Sequence, residues 1–255
     1  DEILAKSLRD SGRTTLVSNY RKADGKLILE LPHQKFLDSA DSVGLTNFVI
    51  DPIDHNVREA KALQTIAGTP FPALATAMFL ASKIPGVGRP LVNELPPFAR
   101  KGQKFFINFL GPPSSVRQEK YSIRNFSASD ILGGVFPRKW FAGKYVFIGV
   151  GFSKNKFRTP FYSGKHEYPL TPGVEIHANV LSTLLTGDEL KPLKGLKKFG
   201  TIFVVALISV IIFISFPPIV GTFFLMFFVA GFMFSTVIIF EKISLLLPIT
   251  SVGLA

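Results

Sequence analysis

Apolar and polar positions divide this chain into two unequal parts. No charged side chain occurs from Phe199 through Phe240. The run TIFVVALISVIIFISF, ending at Phe216, gives with its flanks a helix of roughly 27 Å at about 1.5 Å per residue, close to the hydrocarbon thickness of a bilayer. Pro217-Pro218 then removes two backbone donors and restricts the residue before each, which ends the helix and suits a reversal. Thr222 to Phe240 is again free of charge, Glu241-Lys242 interrupts, and ISLLLPITSVGLA opens a third apolar run. The pattern predicts transmembrane helices over 199–216 and 221–240 and the start of a third over 243–255. A buried hairpin of a soluble protein is the weaker reading, because uncharged runs of this length are rare in soluble cores.

Before residue 199 the periods are shorter and mixed. Ile3, Leu4 and Leu8 mark one face of a helix over the first ten residues, and TTLVS, Thr14 to Ser18, reads as a strand. Lys26 to Leu31 is β-prone, and Leu45 to Ile50, Asp51-Pro52 and the stretch from Val57 read as strands joined by a turn. Ala73 to Ser82 follows a Thr-Pro-Phe-Pro lead and is rich in helix formers. FFINF, Phe105 to Phe109, and YVFIG, Tyr145 to Gly149, are short apolar runs of the kind buried on both faces of a sheet. Ser127 to Leu132 predicts a short helix capped by Ser127, and Val174 to Leu185 a final helix. Strands alternating with helices predict an α/β domain, a mostly parallel sheet with flanking helices, over 1–190.

Charge sharpens the division. The chain has 29 Lys/Arg and 18 Asp/Glu, and all but Glu241 and Lys242 precede Phe199, so the first part carries the whole surplus of +11. Such a surplus attracts phosphates without naming their carrier. Its one cluster, Lys191, Lys194, Lys197 and Lys198, forms a basic linker over 191–198 beside the first span, which points to lipid headgroups and away from nucleic acid. With no cysteine there is no disulfide, thiolate metal site or cysteine nucleophile. Asp1 is preceded by no basic or apolar leader, so any signal or leading span is expected outside these residues.

Candidate chemistry is sparse. Glu175, His177 and Asn179 alternate, so on a helix they diverge by roughly 200° per pair and do not converge on one metal. His177 shares a face with Leu181 and Leu184, as a packed, hydrogen-bonded histidine does, while Glu175 suits the positive end of the helix dipole. Asp51, Asp54 and His55 compose a turn more readily than a cation site. Gly149-Val150-Gly151 lacks the rest of a phosphate loop. Phe105, Phe106 and Phe109 beside Lys101 and Lys104 are core aromatics before they are a base-stacking surface. No catalytic residue set, metal site or cofactor fingerprint stands out.

Several blocks occur in one order: NFLGPP at 108–113, SASDILGGVFP at 127–137, FAGKYVFIGV at 141–150, FRTPFYSG at 157–164 and TPGVEIHANVLSTLLTG at 171–187. Together they resemble the type-two CHASE family, the extracellular sensory domains associated with cyclases and histidine kinases. Two departures appear: Leu110 stands where that family's pattern has arginine, and Lys154-Asn155-Lys156 replaces a more acidic approach to the T-P-F block. The resemblance puts forward Asn108, Gly111, Pro112, Thr159, Pro160, Gly173, Glu175, His177 and Asn179 as ligand or structural-motif positions. It implies membrane helices leading to a cytoplasmic output domain and an amino-terminal helix and strand before Asp1.

The expected function is therefore an extracytoplasmic sensor, itself without catalysis or cofactor, on the outside of a bacterial inner membrane. It would regulate an output absent here, above all a class III nucleotide cyclase, or otherwise a histidine or serine/threonine kinase. Expected partners are membrane lipid, an unknown extracytoplasmic ligand or protein, and a second copy in a homodimer; nucleic acid is not expected. The positive-inside rule conflicts with this orientation, because it would hold the lysine linker in the cytoplasm. Two rivals stand beside the sensor: a membrane-bound enzyme using Glu175, His177 or Asp51 as acid/base groups, and a lipid-binding structural anchor.

Overall fold

The computed structural model of the chain describes residues 1–83, 94–100, 102–113, 123–150, 155–162, 170–193 and 195–247. They divide into two compact units, Asp1–Glu189 and Leu190–Ala255.

The first unit opens with α1, Glu2–Ser11, stopped by Gly12 in the left-handed region (φ 55°). Only Ala5 of this helix is buried; the expected apolar face is largely open, with Ile3 83% exposed, and Leu4 and Leu8 line a groove with Leu16, Val17, Leu31 and Phe36. β1, Thr15–Ala23, and β2, Lys26–Glu30, form an antiparallel hairpin. Its two-residue turn, Asp24-Gly25, takes positive φ at both positions, which matches the right-handed twist of the flanking strands. After the short α2, Gln34–Leu37, β3, Ser42–Leu45, adds to the other edge of β1 in parallel.

β4, Glu59–Lys61, β5, Leu63–Ile66, and β6, Thr69–Pro72, lead into α3, Leu74–Lys83. β5 and β6 form a hairpin around Ala67-Gly68, again with positive φ at both turn residues. The sequence reading took Thr69 to Pro72 only as a helix lead. β7, Lys104–Phe106, pairs with β4 antiparallel, in the expected position of the FFINF strand but shorter. α4, Ala128–Leu132, lies where a short helix was expected, though the Ser127 hydroxyl at its cap pairs with Ser129 Oγ at 2.6 Å and not with a backbone N–H. A 3-10 turn follows at Arg138–Trp140. β8, Lys156–Phe157, and β9, Thr171–Pro172, pair antiparallel, and β9 runs directly into α5, Gly173–Thr186.

The α/β class expected from sequence holds, but the one mostly parallel sheet does not. Small sheets replace it: β1 with β3 is the parallel pair of this unit among the described strands, and the other pairings in it are antiparallel. Tyr145 to Gly149 is a second correction. It forms no strand with any of the described residues, and Ile148 is 93% exposed, because apolar content makes a run strand-prone without supplying the neighbouring edge.

The core sits where α3 and α5 pack together over the β4–β7 pair. Val57, Leu63, Phe79, Phe105, Ile107, Ile176 and Leu184 are among its buried members. Phe105 is 1% exposed and tilts against Phe98, so the aromatics of that strand are packing residues. Helix and sheet approach so closely at Gly44 that a Cβ there would lie 2.5 Å from Leu74 Cα.

The second unit is built on two long helices, α6, Gly195–Ser215, and α7, Pro218–Ile243, with mean hydropathies of 2.4 and 2.5. Pro217 caps α7 and Pro218 fills its first turn, where a missing N–H costs nothing. The helices pack on one another, with Val205, Gly221 and Thr236 buried and Phe216 stacked on Phe224. At the far end, β10, Lys191–Pro192, pairs in parallel with β11, Leu245–Leu246. Ser244 is left-handed (φ 54°) and ends α7, so the described residues at the expected start of the third span are a turn and a short strand; 248–255 lie outside the described residues.

Candidate functional site

The sequence blocks converge on one helix. α5 begins without a side-chain cap; Pro172 precedes it in extended conformation and the Gly173 N–H donates to Asn155 O at 3.0 Å. A side chain at Gly173 would press on the rings of Phe157 and Phe48, each 3.2 Å from the added Cβ. Thr159 and Thr171, both buried, join their hydroxyls at 3.0 Å, which ties the T-P-F block to the strand that launches the helix. Pro160, the next residue of that block, is exposed.

One turn on, α5 presents side-chain hydrogen-bonding groups to a neighbouring strand exit. Asn179 Oδ1 accepts the Leu110 N–H at 3.0 Å, and its Nδ2 donates to Glu175 O at 2.9 Å. Thr183 Oγ1 accepts the Asn108 N–H at 3.0 Å and donates to Asn179 O at 2.9 Å. Both side chains are buried, and each satisfies a backbone donor just beyond the end of β7. Phe109 and Phe161 meet edge to face at 6.3 Å, joining the N-F-L-G-P-P block to the T-P-F block. Gly111 and Pro112 lie partly buried just beyond this contact.

His177 is 6% exposed and stacks on Phe48, ring centroids 4.4 Å apart and planes at 28°. Burial holds its imidazole neutral, with the pKa lowered to about 4, although a hydrogen bond with the Thr46 backbone opposes the shift. Its Nε2 is buried without a hydrogen-bond partner among the described residues. Glu175 is also buried, in the first turn of α5 where the helix dipole favours a carboxylate. The residues of the G-V-E-I-H-A-N run thus lie on one helix but are aimed at different neighbours: His177 at Phe48, Asn179 at the 108–110 backbone. Their arrangement joins chain segments; it does not gather acid, base and nucleophile around a common point.

Sequence reading missed Thr183, Thr171 and Phe48, which complete these contacts. Thr183 carried a usable signal, being four residues after Asn179 and therefore on the same helix face. Phe48 carried none, since nothing in one sequence shows which aromatic meets a histidine.

The remaining candidates lie elsewhere. Asp51, Asp54 and Asn56 form a turn in which the Asp51 carboxylate accepts the Ile53 N–H, His55 has φ 59°, and Arg58 pairs with both Asp51 and Asp54. Arg58 and the Asn56 donors hold the Asp54 carboxyl down to about 2. The turn reading therefore describes these residues, and no group of three or more potential metal ligands occurs among the described residues. In the second unit, Lys191 and Lys197 are exposed and Lys198 half-buried, the last two in the opening turn of α6; Lys194 lies outside the described residues. Cations there oppose the helix dipole, so they do not serve the helix.

α6 and α7 are long and apolar enough to cross a bilayer and leave nearly all of their surface open. With the α/β unit before them they make this a membrane protein. No curated protein and no solved structure matches the chain. The family model of the CHASE2 domain, a sensory and not a catalytic domain, matches residues 1–214, which takes in all of the α/β unit and nearly all of α6. The chain belongs to the CHASE2 domain family.

Proposed function

We propose that this chain is the extracytoplasmic sensor and membrane anchor of a bacterial transmembrane signalling receptor. The observation that carries the reading is the extent of the family match: it runs without a break from the α/β unit into the first span. A sensory domain fused to a span is arranged to report across a membrane. A ligand or partner protein that favours one of two arrangements of the domain shifts the population of that arrangement, whereas one binding both equally shifts nothing. In this reading residues 1–198 lie outside the inner membrane, the receptor is a homodimer, and its output is a class III nucleotide cyclase. A histidine or serine/threonine kinase is the second output reading. Lys191, Lys194, Lys197 and Lys198 rest against anionic headgroups.

Two measurements test it. The absence of cysteine allows single-cysteine labelling without background. Lys22→Cys, on an exposed strand position, is expected to react with a membrane-impermeant maleimide added to intact cells. Labelling only after lysis would overturn the orientation. Output is read by expressing the whole gene in a host lacking its own adenylate cyclase; restored cyclic AMP supports the cyclase, and phosphoryl transfer without cyclic nucleotide replaces it with the kinase.

A further inference from the structure

One segment of the α/β unit has a small aromatic nucleus of its own. Phe126 meets Phe136 at 4.8 Å, Phe141 at 5.3 Å and Trp140 at 6.0 Å between ring centroids, and Phe136 meets Trp140 at 5.5 Å. The nucleus covers only part of the apolar surface of α4, the 3-10 turn and the link between them, Trp140 included. Leu132 is 88% exposed, Val135 64%, Trp140 44% and Ile131 39%. Single exposed apolar residues need no explanation, but four within ten positions around a folded nucleus do. The charge beside them is of one sign. Arg124, Arg138, Lys139 and Lys144 are all exposed, Asp130 is the only carboxylate between residues 123 and 150, and no ion pair among the described residues engages those four cations.

We propose that this surface docks on an anionic bilayer, with Leu132 and Trp140 entering the headgroup region and Arg138 and Lys139 pairing with lipid phosphates. Three features select lipid as the occupant. Cations interleaved with exposed apolar side chains complement a surface that is anionic above and apolar below. Tryptophan, with an apolar body and one N–H, is suited to the interface between them. The same chain also carries the spans, so the docking is intramolecular in effect and a weak surface suffices. The lysines beside α6 are a separate element; this surface lies more than forty residues before them in the chain.

Trp140 is the only tryptophan in the chain, so its fluorescence reports this surface alone. The full chain is reconstituted into phosphatidylcholine vesicles with and without phosphatidylglycerol, each containing brominated lipid as a quencher. The expected result is blue-shifted Trp140 emission, quenched by brominated lipid in the phosphatidylglycerol vesicles and released by salt. The paired change Arg138→Glu and Lys139→Glu is expected to lower the docked-to-undocked ratio at least about twenty-five-fold, from about fivefold per lost cation. Lys22→Glu with Lys26→Glu, which removes the same charge from the β1–β2 hairpin, is expected to leave it unchanged. Far-UV circular dichroism shows that each variant is folded. Emission that stays water-like and open to acrylamide in both vesicle types overturns the proposal. So does an equal loss in the hairpin variant, which means net charge alone, or a shift that follows protein density instead of lipid charge, which means a second copy covers the surface.

Discussion

His177 stacks on Phe48 with 4.4 Å between ring centroids, and this contact fastens the first half of α5 to the segment that follows β3. The ring is packed as a neutral group, since burial lowers its pKa from 6.5 to about 4. The folded state therefore binds this proton less readily than the unfolded state does. Stability from this group is complete above about pH 6.5, falls as the pH drops toward about 4, and levels off below. The slope approaches about 1.4 kcal/mol per pH unit inside that window. Urea titrations of the chain in detergent between pH 4 and pH 7 measure it. His177→Phe is expected to flatten the slope; an unchanged slope would show that other groups set the acid response.

Asn179→Ala is expected to destabilise the domain by about 0.5–1.5 kcal/mol, because the Leu110 N–H loses the acceptor that the buried Asn179 side chain supplies. Thr183→Val, which strands the Asn108 N–H, falls in the same range. Thermal unfolding monitored by circular dichroism measures both. Since the two side chains share the Thr183 Oγ1 to Asn179 O bond, their losses should not add in the double variant.

Gly44→Ala should disrupt packing far beyond the effect of one methyl group. The new Cβ would meet Leu74 Cα at 2.5 Å and Leu74 N at 2.9 Å, and backbone cannot step aside as a flexible side chain can. Overpacking of this kind costs about 1–3 kcal/mol or more. Gly200→Ala, where the added Cβ would meet nothing within 4 Å beyond its chain neighbours and its own helix backbone, serves as the tolerated comparison in the same melting experiment.

Changing Lys191, Lys197 and Lys198 to glutamine should release anionic lipid from the boundary of the protein. A contribution of about 1 kcal/mol per cation is expected at low salt, shrinking as ionic strength rises. Spin-labelled phosphatidylglycerol added to reconstituted protein gives the measurement. An immobilised fraction equal to that of the parent chain would separate these lysines from the headgroups.

The helices were more legible than the sheet. α6 and α7 announced themselves because forty-two uncharged positions in a row leave few alternatives, and α5 because its apolar residues keep helical spacing between Pro172 and Gly187. Local turn chemistry was present in Asp24-Gly25 and Ala67-Gly68, yet neither was read as a hairpin, and at the second Pro70 and Pro72 drew attention to the helix behind them. Strand partners were not legible at all. Tyr145 to Gly149 has the composition of a central strand, but whether it finds a ladder depends on segments distant in sequence. The site divides in the same way: motif blocks drew attention to Thr159 and Asn179, whereas the roles of Phe48 and Thr171 are defined only by what they touch.

The clasp at the open end of the helical hairpin governs how force can pass. Lys191 N–H donates to Ser244 O at 2.8 Å and Leu193 N–H to Leu246 O at 3.0 Å, so the entrance to α6 is bonded to the exit of α7. A tug on the tether after Gly187 is therefore shared between both rods from the first ångström. A single-rod piston would have to break those bonds, whereas tilting or rotating the pair as one lever leaves them whole.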